Sequence, residues 1–151
     1  MSITLLKSGL YPNPEADKCE HRFVYSFYPH AGDHRMGEAS KEGYKLNNEM
    51  TAYEIKAQKG KLKEEYSFVK TDSKNIFVEA VKKAEDDESI IVRLYDAFGV
   101  NTKSELAFGF DVKKAYISDM SENTLCELAV KDNKIKLDVK PFEIVTLKII
   151  R

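Results

Sequence analysis

Residues 11–35, YPNPEADKCEHRFVYSFYPHAGDHR, gather more side chains capable of chemistry than any other part of the chain. All three histidines, His21, His30 and His34, lie there, together with Cys19, Glu20 and Asp33. Glu20, His21, His30, Asp33 and His34 are each acceptable zinc ligands. Their spacing fits no short metal motif, since there is no HExxH and no pair of neighbouring cysteines. On a continuous strand rising about 3.3 Å per residue, His21 and His30 stand about 30 Å apart and cannot share an ion. His30, Asp33 and His34 remain close enough for one. The plainer expectation is that they cap the helix that follows and satisfy backbone groups in a turn.

Nucleophilic catalysis is no better served. Residues two apart on a strand share a face, so Cys19 aligns with His21 and Glu20 does not. A cysteine–histidine pair also needs a helix N-terminus or an oxyanion hole, and neither is visible. The chain has no GxSxG, no phosphate-cradling glycine loop and no dinucleotide fingerprint. Carboxylates pair often, as in Glu15 with Asp17 and the run 85–88, but a chain that is 32% charged makes such pairs by chance. The run 85–88 reads as a solvated hairpin tip. Eight Tyr and eight Phe could stack on sugars, yet most aromatics in a β domain are core, and the absence of Trp weakens a carbohydrate platform. From the residues alone no catalytic residue and no metal site is assigned, and a binding or interaction module is favoured over an enzyme.

Composition narrows the classes further. At 151 residues and 42% apolar, the chain fits one soluble domain with a substantial core. With 24 basic against 25 acidic side chains, a net charge of −1 gives no field for gathering phosphates, so no nucleic-acid partner is expected. No apolar run approaches the roughly 20 residues that span a bilayer, so no membrane is expected either. The opening MSITLLKSG lacks the apolar stretch and cleavage site of a leader peptide. Cys19 and Cys126 are distant and in dissimilar settings, which suits reduced thiols. Cytoplasmic localisation is the expectation.

Periodicity supplies the elements that must position these residues. A first strand is expected at 3–6, and Pro12 and Pro14 keep the next segment out of a helix. Over 22–28 the pattern alternates, with Phe23, Tyr25 and Phe27 on one face and Val24, Ser26 and Tyr28 on the other. Neither face is strongly polar, so both are expected to be covered. Met36, Ala39, Gly43 and Leu46 recur at steps of three and four, which predicts a short helix over 36–47 stopped by Asn47 and Asn48. A weak strand at 52–56 precedes a β pattern running almost to the end: 66–69, 76–83, 90–95, 104–110, 114–118, 124–131, 134–139 and 144–150. Asp132-Asn133 suits a type I′ turn. That hairpin would pair Val130 with Ile135, Leu128 with Leu137 and Cys126 with Val139. Many short strands and one short helix describe a mainly β chain, an antiparallel β-sandwich, expected to form a single domain over 1–151.

Four ordered stretches carry a resemblance: PNPEADKCEHRFVYSFYPHAGD, EGYKLNN, VEAVKKAEDDESIIVRLYD and VKPFEIVTLKI. They resemble the C-terminal half of the glycoside hydrolase family 38 α-mannosidases. That family has a proline-flanked PEAD element, a His before an aromatic strand, and a YxxYPH-like end with a Gly-Asp turn. It also has a segment ending in leucine and paired asparagines, a KKAED…RLY hairpin and a terminal PFEI strand. The resemblance spans 3–149. Cys19 stands where the family usually has glycine, and His34 where it often has an aromatic; both departures fall in turns.

The resemblance implies a fragment of a supersandwich and a parent that is a retaining, metal-dependent hydrolase of terminal α-mannosides. The family's zinc, held by two His and two Asp, and its nucleophilic Asp belong to an N-terminal α/β barrel. The HxD of that zinc site does not occur here, because Ala-Gly-Asp follows His30 and Arg-Met follows His34. A retaining mechanism also needs two carboxyls about 5 to 5.5 Å apart, which the family supplies from the missing part. No catalytic residue carries over and no cofactor is expected in this chain; zinc is implied for the missing catalytic domain. The expectation is a structural C-terminal β domain, inactive alone, whose partners are the parent's N-terminal catalytic domain and mannosides. His30, Asp33 and Arg93 are the candidates for lying near substrate, against a salt bridge as the competing reading of Arg93. The isolated chain is expected to expose Val24, Tyr28 and nearby aromatics and to self-associate. The alternative reading is a stand-alone carbohydrate-binding β-sandwich module.

Overall fold

The structure is a computed structural model describing residues 2–151, and the chain divides into two compact units, Met1–Thr51 and Ala52–Arg151. The first unit has one regular element among its described residues, helix α1 (Ala39–Asn47). It starts three residues later than the periodicity implies, because Glu38 adopts a left-handed conformation with φ 52° and cannot continue a helix backwards. The expected stop is present: Asn47 and Asn48 each donate a side-chain N–H to the carbonyl four residues back, Gly43 at 2.8 Å and Tyr44 at 3.0 Å. Gly43 is tolerated within α1, where Glu42 pairs with Lys45 at 2.6 Å along the exposed side.

The strands expected at 3–6 and 22–28 do not form. A strand is stable only with a ladder partner, and residues 22–28 make no backbone–backbone hydrogen bond among the described residues. Both faces were expected to be covered; instead Val24, Tyr25 and Phe27 are 80%, 67% and 79% exposed. No strand forms at 52–56 either.

The second unit is the sandwich. Its strands are β1 (Val69–Thr71), β2 (Ile76–Lys83), β3 (Ile90–Asp96), β4 (Thr102–Phe108), β5 (Lys114–Ser118), β6 (Thr124–Leu128), β7 (Lys134–Val139) and β8 (Ile144–Ile150). One sheet has the order β1-β4-β7 and the other β2-β3-β8-β5-β6, with every pairing antiparallel. The core lies between them. Leu106 and Phe108 of β4 and Ile135, Leu137 and Val139 of β7 meet Val92 and Leu94 of β3 and Leu147 and Ile149 of β8. Truncating one of these fully buried aliphatics to Ala costs about 2–5 kcal/mol.

The hairpin at Asp132-Asn133 is half right. Both residues are left-handed, φ 52° and 57°, and Lys131 and Lys134 exchange N–H···O bonds of 3.0 and 2.9 Å across the turn. The pairing stops there. β7 pairs with β4, Ile135 opposite Leu106 and Val139 opposite Thr102, while β6 pairs with β5 in the other sheet. Ile135, Leu137 and Val139 are buried as the pattern requires, but a burial pattern specifies the face and not the neighbour.

Five connections therefore cross from sheet to sheet, and two side chains fasten them. Asp96, at the end of β3, is 1% exposed. Its Oδ1 accepts from Asn75 Nδ2 at 2.6 Å and from the Phe98 N–H at 3.2 Å. Its Oδ2 accepts from the N–H groups of Gly99, Val100 and Phe142 at 2.6, 3.0 and 2.9 Å. The β1–β2, β3–β4 and β7–β8 crossings meet on this one carboxylate. At the far end of β4, Asn133 joins the other two: it accepts from Val112 N–H at 2.9 Å through its side chain and from Phe108 N–H at 2.9 Å through its carbonyl. Gly99 has φ 70°, and a Cβ there would stand 2.4 Å from the Phe142 ring, so only glycine fits beneath that ring.

Burial pushes the Asp96 carboxyl up, but the donors from Phe142, Asn75, Phe98 and Val100 outweigh it and hold the group below its ordinary value of 3.8. A depressed folded-state pKa contributes stability that is complete above the unfolded value and is lost as pH falls through the folded one. Urea unfolding of the chain is expected to show a fall in stability beginning near pH 4, with Asp96→Ala removing part of it. Asp96→Ala also leaves four backbone N–H groups without an acceptor and is expected to cost about 3 kcal/mol or more at neutral pH.

Candidate functional site

Two of the three candidate residues lie in one turn of the first unit. Asp33 Oδ1 accepts the N–H groups of Arg35 and Met36 at 3.0 and 2.9 Å, and its carbonyl accepts from Gly37 N–H at 3.0 Å. The Met36 N–H, then those of Arg35 and the charges of His34 and Arg35, hold the carboxyl below its ordinary value against an opposing push from burial. Asp33 is thus the cap of the turn that leads into α1, the plainer of the two roles its position allowed. His30 tilts against Tyr28, ring centres 5.6 Å apart, with Nδ1 3.3 Å from the Ala31 carbonyl. Gly37 links the pair: a Cβ on it would stand 2.3 Å from the His30 ring. The turn is a backbone framework with an imidazole packed on its glycine.

Cys19 and His21 do align, with Sγ 3.6 Å from Nε2. The same Nε2 lies 2.9 Å from the Asp17 carbonyl oxygen, which can only accept, so Nε2 carries the proton and cannot take one from the thiol. The dyad lacks its base. Among the described residues no group of three or more His, Cys, Asp or Glu side chains is arranged to hold a metal ion. The donor sets present here do not fit the zinc that the family implies.

Arg93 lies on β3 of the second unit, opposite Thr146 of β8 and Ala80 of β2. Its Nε donates to Thr146 Oγ1 at 3.3 Å and a terminal nitrogen to the Met120 carbonyl at 3.5 Å. A salt bridge was the competing expectation; the partners found are a hydroxyl and a carbonyl at the long end of hydrogen bonding.

The carboxylates with structural consequence lie elsewhere. Glu122, with φ 68° and 8% exposed, accepts from Glu85 N–H at 2.9 Å and pairs with Lys82 at 2.8 Å. Lys82 above all, then the Glu85 N–H, holds its carboxyl below the usual range. At the tip of the β2–β3 hairpin, Asp87 pairs with Lys148 at 2.9 Å and is held down to about 2, chiefly by that lysine. The acidic run 85–88 is a hairpin tip as expected, but it is tied down by lysines rather than merely solvated. Asp96 carried a signal that periodicity ignores: a carboxylate closing an apolar strand, with glycine three residues on. A cavity of about 540 Å³ on the three-stranded sheet is lined by Asp72, Lys103, Ser104, Glu105, Lys136 and Asp138 among others. Two of its three carboxylates are engaged: Asp72 accepts from Ser104 Oγ and Glu105 N–H, each at 2.9 Å, and Glu105 pairs with Lys134 at 2.7 Å. It offers no aromatic platform for a sugar.

Residues 75–147 match the family model described as the glycosyl hydrolases family 38 C-terminal beta sandwich domain. Alpha-mannosidase G of Dictyostelium discoideum is 31% identical over 155 residues, which cover 99% of this chain and 14% of that protein. Alpha-mannosidase 2C1 of Homo sapiens is 28% identical over 155 residues, 99% of this chain and 15% of that protein. Alpha-mannosidase of Saccharomyces cerevisiae is 25% identical over 174 residues, covering 99% and 16%. The chain therefore spans a small fraction of the relatives it matches.

The Gly37→Ala variant tests the framework. It is expected to displace the His30 ring, seen as a changed imidazole resonance in NMR spectra with His21 unaffected, while the thermal unfolding of the sandwich stays as in the parent sequence.

Proposed function

We propose a function from one premise, that the chain belongs to the family 38 glycosyl hydrolases and carries their C-terminal β-sandwich domain. It is a structural, non-catalytic part of an α-mannosidase, and hydrolysis takes place on a catalytic domain outside it. The observation that carries this reading is the pairing of extents: nearly all of this chain aligns with only 14% to 16% of each α-mannosidase. The side chains agree with it. The carboxylates with depressed pKa described above are committed to backbone donors and lysines, and the one cysteine–histidine contact has no free base.

In this reading the partners are the parent's N-terminal catalytic domain, where zinc is held, and the mannosides bound there. The two free, exposed cysteines favour a reducing compartment, in keeping with a cytoplasmic enzyme. Of the candidates near substrate, Asp33 has its carboxylate occupied by the turn, so Arg93 and His30 are the better ones. Among the described residues Arg93 holds two long hydrogen bonds, which leave guanidinium donors for a ligand. The isolated chain self-associates through the exposed aromatics of 22–28.

The purified chain with added zinc is expected to show no turnover of an aryl α-mannoside and no saturable binding of mannose. Robust turnover contradicts the reading, and mannose binding without turnover supports a stand-alone carbohydrate-binding module instead. In the full-length enzyme, Arg93→Met is expected to lower kcat/KM about tenfold, or about 1.4 kcal/mol, without changing thermal stability. Unchanged kinetics reduce Arg93 to a strand-to-strand tie.

A further inference from the structure

We propose that residues 22–28 are an interior strand whose sheet belongs to the rest of the parent protein, which pairs with it main chain to main chain. This rests on the reading of the chain as the C-terminal part of a larger α-mannosidase, and it adds where and how the two parts join. RFVYSFY presents Phe23, Tyr25 and Phe27 to one side and Arg22, Val24, Ser26 and Tyr28 to the other, so one face is apolar and the other mixed. A strand with no strongly polar face fits one covered on both faces. Here Val24 and Phe27 are 80% and 79% exposed and Tyr25 67%, with Phe23 and Tyr28 at 45% and 47%. His21 stacks on Phe23 at 5.9 Å and Tyr28 tilts against His30 at 5.6 Å, contacts between residues two apart that an extended backbone makes. With no backbone–backbone hydrogen bond among the described residues, the segment has N–H and C=O groups to offer along both edges.

The occupant follows from the extents. The alignments cover 99% of this chain and at most 16% of its relatives, and the matching domain is a C-terminal one, so the missing polypeptide precedes it. A second copy of this chain, paired about a two-fold axis, would cover one edge of the segment and leave the other open. An interior strand needs neighbours on both.

Hydrogen–deuterium exchange at amides 22–28 tests this, read on the 151-residue chain alone and with the polypeptide encoded upstream of it. The upstream polypeptide is expected to slow these amides about 100-fold. Val24→Pro, which removes one N–H, is expected to weaken association about tenfold, whereas Val24→Ile stays within about twofold. Urea unfolding of the sandwich should be the same in both variants, which separates lost pairing from lost folding. A complex that shows α-mannosidase activity yet leaves 22–28 exchanging as in the free chain overturns the proposal and leaves the function standing. Absence of both complex and activity overturns the two together. Protection that rises with the concentration of the isolated chain and is not displaced by the upstream polypeptide makes a second copy the occupant, and also overturns it.

Discussion

The sandwich depends on one buried carboxylate. Asp96 collects five hydrogen bonds at the end of β3, and its donors come from three of the five places where the chain changes sheets. Crossing between sheets breaks a ladder and exposes backbone N–H groups that neither sheet can satisfy. A single acceptor with two oxygens answers several of them at once. Gly99 and Phe142 complete the arrangement: each gives its N–H to Oδ2, and the ring lies directly over the glycine. At the other end of β4, Asn133 does the same for the remaining two crossings with one side-chain amide and one carbonyl. The apolar layer between the sheets supplies the bulk of the stabilisation, while these two residues hold the crossings between them.

That division explains what was legible in the sequence. β2, β5, β7 and β8 fall on the expected residues, because alternation and β-branched composition report burial of a face. The type I′ turn was legible because Asp132 and Asn133 tolerate positive φ. The partner of β7 was not, since Ile135, Leu137 and Val139 bury the same face whether paired with β6 or β4. The crossings between sheets are fastened by Asp96, the last residue of β3, and by Asn133, in a turn among polar neighbours, and neither role has a period to betray it. In the first unit the helix was readable from its apolar steps, but its start was displaced by Glu38, a conformation that residue type does not announce. His30, Asp33 and Arg93 were chosen for chemistry. Their contacts show a packed imidazole, a cap and a strand-to-strand donor, roles that spacing alone does not distinguish from ligands.

At residues 22–28, as at 3–6 and 52–56, sequence pattern and structure disagree, and at 22–28 the disagreement bears on function. The pattern is that of a strand covered on both sides, and the side chains are exposed. A cover supplied from outside the chain, as proposed above, would resolve this. The sandwich has its own core and its own fasteners. The first unit carries the exposed apolar surface of Val24, Tyr25 and Phe27. A C-terminal part of a larger α-mannosidase would be built in this way, with its chemistry elsewhere and its apolar strand waiting for the rest of the enzyme.

The most direct measurement is α-mannosidase activity of the upstream polypeptide, zinc-replete, as this chain is titrated into it. Neither part alone should turn over substrate, and activity should rise and saturate as the chain is added. Full activity of the upstream polypeptide without the chain, or turnover by the chain by itself, would contradict the account.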